Sequence, residues 1–403
     1  MAESPKLPIG GRIRHYRKLH GNRSLAAVAG LCGISERYLS MVENGKRTPS
    51  SKLLARIAAE LDVPVAALLS DDPPAKATPS LSTAPDVAKA LMGYGSTRSA
   101  PAVGPAELRE RVEGAWRIWQ ASAERFTEIE PLLPELIADI EHSVRAHRTS
   151  SDPTARRDVL RAAADLYGLL RSYCRRSGRL DLSLMVADRA RRAAEDADDP
   201  IRLAAAHWNL GHCLLSQPGG AQEADDAARI AIDELRAVPD GADKAAMHGA
   251  LELVRVVAEA QTKKWWDARA RLLKKATPLG KKAGESNIMW TVFGPTNIHL
   301  HALSIEMLAG DSAEGLRLAD EVDISRLPSR ERQFTFTLDL ARCCDLRRDD
   351  AAVLVHLLDL EKLSSEDMAR SSLAVDMVAG LLHRVRPTYR RQVSNLADRL
   401  GIT

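Results

Sequence analysis

A chain of 403 residues has room for two or three domains, and its 57 Lys and Arg against 54 Asp and Glu leave a net charge of only +3. No apolar run approaches a membrane span and no hydrophobic signal core opens the sequence, which excludes membrane and secreted classes and predicts a cytoplasmic protein. Cys32, Cys174, Cys213, Cys343 and Cys344 lack paired metal spacing and read as reduced, buried thiols, so neither a metal nor a cofactor is expected.

The first element follows from Ile9, Ile13 and Tyr16 at helical spacing, closed by Gly21. A second helix starts at Ser24, with Leu25, Val28, Ala29 and Cys32 as its apolar stripe, and Gly33 supplies the tight turn into a third. Ser35 can cap that third helix, and Gly45 can stop it in the left-handed conformation, so it should span about Glu36 to Asn44. Leu39 and Val42 then face a core, leaving Glu36, Arg37, Ser40, Met41 and Asn44 outward. Leu53, Leu54, Ile57, Ala58 and Leu61 mark a fourth helix, and Pro64 followed by Ala66 to Leu69 marks a fifth. Residues 1–70 carry 11 Lys and Arg against 5 Asp and Glu, whereas the remainder carries 46 against 49. The basic charge is therefore concentrated on the helix-turn-helix pattern, as phosphate binding requires.

These residues resemble the XRE, or Cro/C1-type, helix-turn-helix family. The resemblance rests on Ile9-Gly10, Tyr16-Arg17-Lys18, Gly33-Ile34-Ser35, Glu43 to Ser50 and Leu61-Asp62-Val63. It implies a five-helix lambda-repressor-like fold, sequence-specific binding of double-stranded DNA, and an Arg17 to Glu43 ion pair bracing the recognition helix. Two positions depart from the family pattern, Leu25 and Met41, where Gln is frequent. Base reading is accordingly expected from Glu36, Arg37 and Ser40, with Met41 offering apolar contact to a thymine methyl. Ser24, Asn44, Lys46 and Arg47 are the expected phosphate anchors.

Residues 71–105 shift to Pro, Ala, Ser, Thr and Gly and read as a linker, with one or two helical turns within Pro85 to Met92. From 106 to 403 the pattern is helical almost throughout. Breakers at Gly178-Arg179-Leu180, Pro218-Gly219-Gly220, Lys264-Trp265-Trp266, Gly310-Asp311-Ser312 and Arg348-Asp349-Asp350 each open the second helix of a pair, at intervals of 38 to 46 residues. The fold class is thus all-α: a small DNA-binding domain followed by an α-solenoid of tetratricopeptide-like pairs. This layout is similar to that of RRNPP-type and actinobacterial regulators, which implies a repeat domain that dimerises and senses a peptide or small molecule.

In such a solenoid the first helix of each pair lines the concave face, and Asn209, His212, Arg255, Asn297 and His301 are the candidate ligand residues there. Trp265 and Trp266 are expected to pack in the core, and the acidic pairs Asp198-Asp199 and Asp349-Asp350 to complement helix N-termini. No P-loop, HExxH, nucleophile elbow or Gly-rich dinucleotide turn occurs, so an enzyme is not expected. The leading expectation is a nucleoid-associated homodimer on a palindromic operator. The alternative is a protein-interaction adaptor localised by its DNA-binding module.

Overall fold

The computed structural model describes residues 8–19, 24–61, 63, 65–69, 85–93, 101–149, 151–324 and 327–402. Gly21, Pro64 and most of the segment 71–105 lie outside the described residues. Two compact units emerge, 1–81 and 82–403. The described residues are overwhelmingly helical, and their one β-type contact is an isolated antiparallel bridge between Ser286 and Phe293.

The first unit contains α1 (Ile9–Leu19), α2 (Leu25–Leu31), α3 (Glu36–Glu43), α4 (Ser51–Glu60) and α5 (Val65–Leu69). Each of the expected caps forms: Ser24 Oγ accepts from the Ala27 amide at 3.1 Å, and Ser35 Oγ from the Tyr38 amide at 3.2 Å. Gly33, in the turn where α2 and α3 meet at 108°, takes φ of +62°, and Gly45, which stops α3, takes φ of +69°. Ile13, Tyr16, Val28, Ala29, Cys32, Leu39, Val42, Leu54, Ile57, Ala58, Leu61 and Leu68 close one core. Gly10 permits α1 to sit against the end of α3, because a Cβ there would lie 2.1 Å from the Val42 carbonyl oxygen.

The second unit opens with α6 (Pro85–Leu91), α7 (Pro105–Ala121), α8 (Arg125–Ile129) and α9 (Leu133–Ala146). Helix pairs follow: α10 (Pro153–Arg176) with α11 (Leu180–Asp196), α12 (Pro200–Leu215) with α13 (Ala221–Glu234), and α14 (Ala242–Gln261) with α15 (Trp265–Arg271). A π-helical segment, Leu272–Ala276, carries α15 into α16 (Thr277–Ala283). Then come α17 (Pro295–Ala309), α18 (Ser312–Ala319), α19 (Arg330–Leu346), α20 (Asp350–Leu363), α21 (Ser365–Arg370), α22 (Ser372–Arg384) and α23 (Pro387–Arg399). Asp199, Asp311 and Asp349 each cap the helix they precede, by accepting from the amides of Arg202, Glu314 and Ala352.

Apolar cores pass from pair to pair, as a helix that buries only one stripe against its neighbour requires. Two features differ from the expected solenoid. First, α6 falls within the presumed linker, yet Val87 and Leu91 are buried in the same core as Leu108 and Ile137. Their three-and-four spacing gives the helix an apolar face too large to leave in water. Second, the concave face is not an open groove. Arg330 donates to the Ala121 carbonyl at 2.7 Å, Ser364 to the Ala123 carbonyl at 2.8 Å, and the Phe126 amide to the Glu366 carboxylate at 2.8 Å. Residues some 240 positions apart thereby join α7 and α8 to the α19–α21 region.

Candidate nucleic-acid interface and interior cavity

On α3 the core takes Leu39, Val42 and Glu43, which rotates Glu36 and Arg37 fully outward and leaves Ser40 and Met41 half-buried beside them. This exposed face stands at the N-terminal end of the helix, where side chains of a groove-inserted helix reach base edges. The opposite side is fixed by charge. Arg17 Nε donates to Glu43 Oε1 at 2.7 Å and Nη2 to Oε2 at 2.9 Å, with both side chains buried. Hydrogen bonding to Glu43 raises the Arg17 pKa further, so the brace is a charged fork rather than a neutral contact.

Lys46 and Arg47 are exposed in the turn after α3, and Ser24 is exposed at the start of α2. Asn44 behaves differently from the other expected anchors. Its Nδ2 donates to the Ser40 carbonyl at 2.8 Å, so this side chain closes the end of α3.

The interior of the second unit holds a half-open cavity of about 210 Å³ between α7, α10, α12, α19 and the loop before α17. Trp116 and Trp119 are three residues apart on α7 and are tied to α10, through the Asp165 carbonyl at 2.9 Å and Ser172 Oγ at 3.2 Å. Trp290 stacks on Trp116 with centroids 4.6 Å apart and planes 3° from parallel. The loop that delivers it is strained: Met289, Trp290 and the β-branched Val292 all have φ between 47° and 57°. Gln120 holds that loop, accepting from Asn287 at 2.8 Å and donating to the Trp290 carbonyl at 3.1 Å.

Opposite the tryptophans the wall is cationic, with Arg171, Arg175 and Arg176 from α10 and Arg332 from α19. Glu331 accepts from Arg176 at 2.5 Å and from Arg125 and Arg175 at 3.2 Å each. Burial opposes its charge, but Arg176, Arg125 and Arg175 hold its carboxyl well below the usual range. Burial lowers the pKa of Arg171, Arg175 and Arg332, and His212 lies far below an ordinary imidazole through burial and then Arg171 and Arg332.

The expected ligand residues divide. His212 lines this cavity, edge-on to Trp208. Asn209 borders a smaller void beside Trp116 and Trp290, and its Oδ1 accepts from Arg171 Nε at 2.7 Å. Arg255 is not available, because its guanidinium is engaged by Asp225 at 2.7 Å on the neighbouring pair. Asn297 and His301 are buried on α17 and do not line the cavity, since that helix turns those positions into the packing between pairs. Trp265 is half-buried, as expected, but Trp266 is 80% exposed beneath Arg269, 5.2 Å from its ring centroid. The cavity arginines were missed because Arg in an Ala- and Arg-rich helix looks like a solvated face. The available signal was Trp116, Trp119 and Trp208, too many indoles for ordinary helix packing.

A braced recognition helix, capped at a steep turn behind a core helix, defines a helix-turn-helix DNA-binding unit. Residues 13–68 match the helix-turn-helix family, and the unit is of the XRE type. The chain is accordingly a DNA-binding transcriptional regulator. No curated protein matches it. Among solved structures it is similar to Bacillus thuringiensis PlcR in complex with the peptide PapR7 and DNA, at 11% identity and a TM-score of 0.29, covering 87% of this chain and 99% of that one. No single helix among the described residues is long and apolar enough to cross a membrane.

Proposed function

We propose that this regulator binds a palindromic or pseudo-palindromic operator as a homodimer and that its repeat unit senses a peptide or small-molecule signal. Two copies of α3 would then enter successive major grooves about 34–36 Å apart. Such a reader acts where the DNA is, on the nucleoid in the cytoplasm. The reading rests on one observation above all, the full exposure of Glu36 and Arg37 on a helix whose other side is clamped by Arg17 and Glu43. Arg37 is the favoured base contact, with Met41 against a methyl group; Lys46, Arg47 and Ser24 would hold phosphates.

Sensing is supported by the interior cavity of the repeat unit. The adaptor alternative is disfavoured because α7, α8 and the Trp290 loop take up part of the interior face that would hold a protein partner. A ligand that prefers one arrangement of the repeats would shift the dimer toward or away from operator spacing. The test is genome-wide occupancy mapping to identify the operator, followed by binding titrations of the wild type and Arg37→Ala. Arg37→Ala should weaken operator binding by about 1–3 kcal/mol and leave random-sequence binding nearly unchanged. Equal losses on both would remove Arg37 as a base reader, and light scattering that finds only monomer on operator DNA would remove the dimer.

A further inference from the structure

The cavity wall carries more positive charge than a structural ion-pair network needs. Arg125, Arg171, Arg175, Arg176 and Arg332 lie in or just behind it, and the carboxylates paired with them are Glu331 and Asp367. Glu331 already accepts from three guanidinium groups, and Asp367 is engaged by Arg125. Arg171 is bonded to the neutral Asn209 amide. The Arg332 side chain has no hydrogen-bond or salt-bridge partner among the described residues, and the Nε of Arg175 is buried without an acceptor. Both border the cavity.

A second cavity in the same unit serves as a control. It is larger, about 660 Å³, and also contains arginines, but Arg161 is paired with Asp158 and Asp199, and Arg202 with Asp165 and Asp199. Balanced charge of that kind holds helices together. Unbalanced charge around a half-open pocket calls for a counter-ion: the buried Arg175 Nε has no acceptor, and the half-buried Arg332 guanidinium faces the same space without a carboxylate.

We propose that the interior cavity is the binding site for a compact organic anion, whose carboxylate or phosphate group sits between Arg175 and Arg332 and whose apolar part lies against Trp208 and Trp290. The size of the space fixes the class. About 210 Å³, at roughly 30 Å³ per water, holds on the order of ten non-hydrogen atoms. That accommodates a small aromatic or branched acid. The planar guanidinium forks recognise an oxyanion in two bonds, and the indoles supply flat apolar surface, so polar and apolar ends of one small molecule are both satisfied. Trp290 belongs to the strained loop and would report occupancy directly through its fluorescence.

This inference rests on the sensor reading of the repeat unit and can be separated from it. The full chain is titrated by calorimetry with benzoate, phenyl phosphate and uncharged benzamide. At least one of the two anions should bind about tenfold or more tightly than benzamide, and Arg332→Gln should remove that preference. Benzoate ahead of phenyl phosphate assigns a carboxylate ligand, and the reverse assigns a phosphate ester. Equal affinity of the three probes, absence of anion binding, or a preference that survives in Arg332→Gln would overturn the anion site. The benzoate-to-benzamide ratio needs only the wild type, so the test stands even should the variant fold poorly. Anion binding that leaves operator affinity unchanged would uphold the site and overturn the sensor reading.

Discussion

Removing Glu43 tests how the recognition helix is held. The Arg17 fork reaches both of its carboxylate oxygens, at 2.7 and 2.9 Å, from side chains only 9% and 4% exposed. Glu43→Ala strips that fork of both acceptors at once. Charge-assisted hydrogen bonds contribute about 1.5–3 kcal/mol each, and orphaning one member of a buried pair costs about 3–5 kcal/mol. Arg17 keeps a further interaction besides the Glu43 fork, so the low end, about 3 kcal/mol, is expected. A unit of roughly 60 residues has about 3–9 kcal/mol of stability in all, and a loss of 3 kcal/mol lowers its Tm by about 12–24 °C. Thermal and urea melts of the full chain, with operator affinity measured by fluorescence anisotropy, read both consequences. The double variant Arg17→Met with Glu43→Leu keeps apolar volume and leaves no charge buried, so it should cost less than Glu43→Ala alone. A cost below about 0.5 kcal/mol for Glu43→Ala, or a double variant that costs the sum of the singles, would refute the brace.

His301 should give the repeat unit an acid limb. Burial, and then Arg332, hold its imidazole at about 3 against an ordinary 6.5. The unfolded chain therefore binds the extra proton, and stability present above pH 6.5 is lost progressively toward pH 3, about 2 kcal/mol of it by pH 5. His301→Gln should remove that share and leave the part of the limb that His212 adds in the same direction, and an unchanged pH profile in urea melts would refute the assignment. Leu91→Ala should destabilise the repeat unit by about 2–5 kcal/mol, since Leu91 is 2% exposed in its first core. A neutral result in denaturant melts would return residues 85–91 to the linker. Gly10→Ala, which forces α1 away from the Val42 carbonyl, should cost the DNA-binding unit about 1–3 kcal/mol in the same melts, and a loss under 0.5 kcal/mol would show that the approach is not tight.

The DNA-binding unit was legible because its information is local. Ser24 and Ser35 cap helices that begin one residue later, Gly33 and Gly45 stop them, and the stripe Val28, Ala29, Cys32, Leu39 and Val42 is the core. Each of those signals lies within a turn or two of what it determines. The helix pairs were legible for the same reason, since Gly178, Gly219 and Gly310 take positive φ where the breakers place them. Asn44 was the ambiguous residue within this region. Its amide could face a phosphate or its own helix, and only the three-dimensional path of the chain decides for the Ser40 carbonyl.

The interior was not legible, and the reason is sequence separation. Arg125 and Asp367 are 242 residues apart, Gln120 and Asn287 are 167 apart, and no periodicity within a helix carries that information. An open solenoid and a closed one share every local signal: the same caps, stripes and breakers. They differ in the few polar residues at the seam, Arg330, Ser364 and Glu366, which look like ordinary surface in a chain with 28% charged residues. Closure changes what the concave-face positions mean. On an open surface Arg175 and Arg332 would be fully solvated and unremarked, whereas in this partly closed pocket the buried Arg175 Nε and the half-buried Arg332 guanidinium are left wanting an acceptor. The seam and the anion site are therefore one design. Contacts that narrow the interior and reduce its exposure to water also strengthen the field of its under-paired charges, and a small acid that neutralises them gains affinity from the same narrowing.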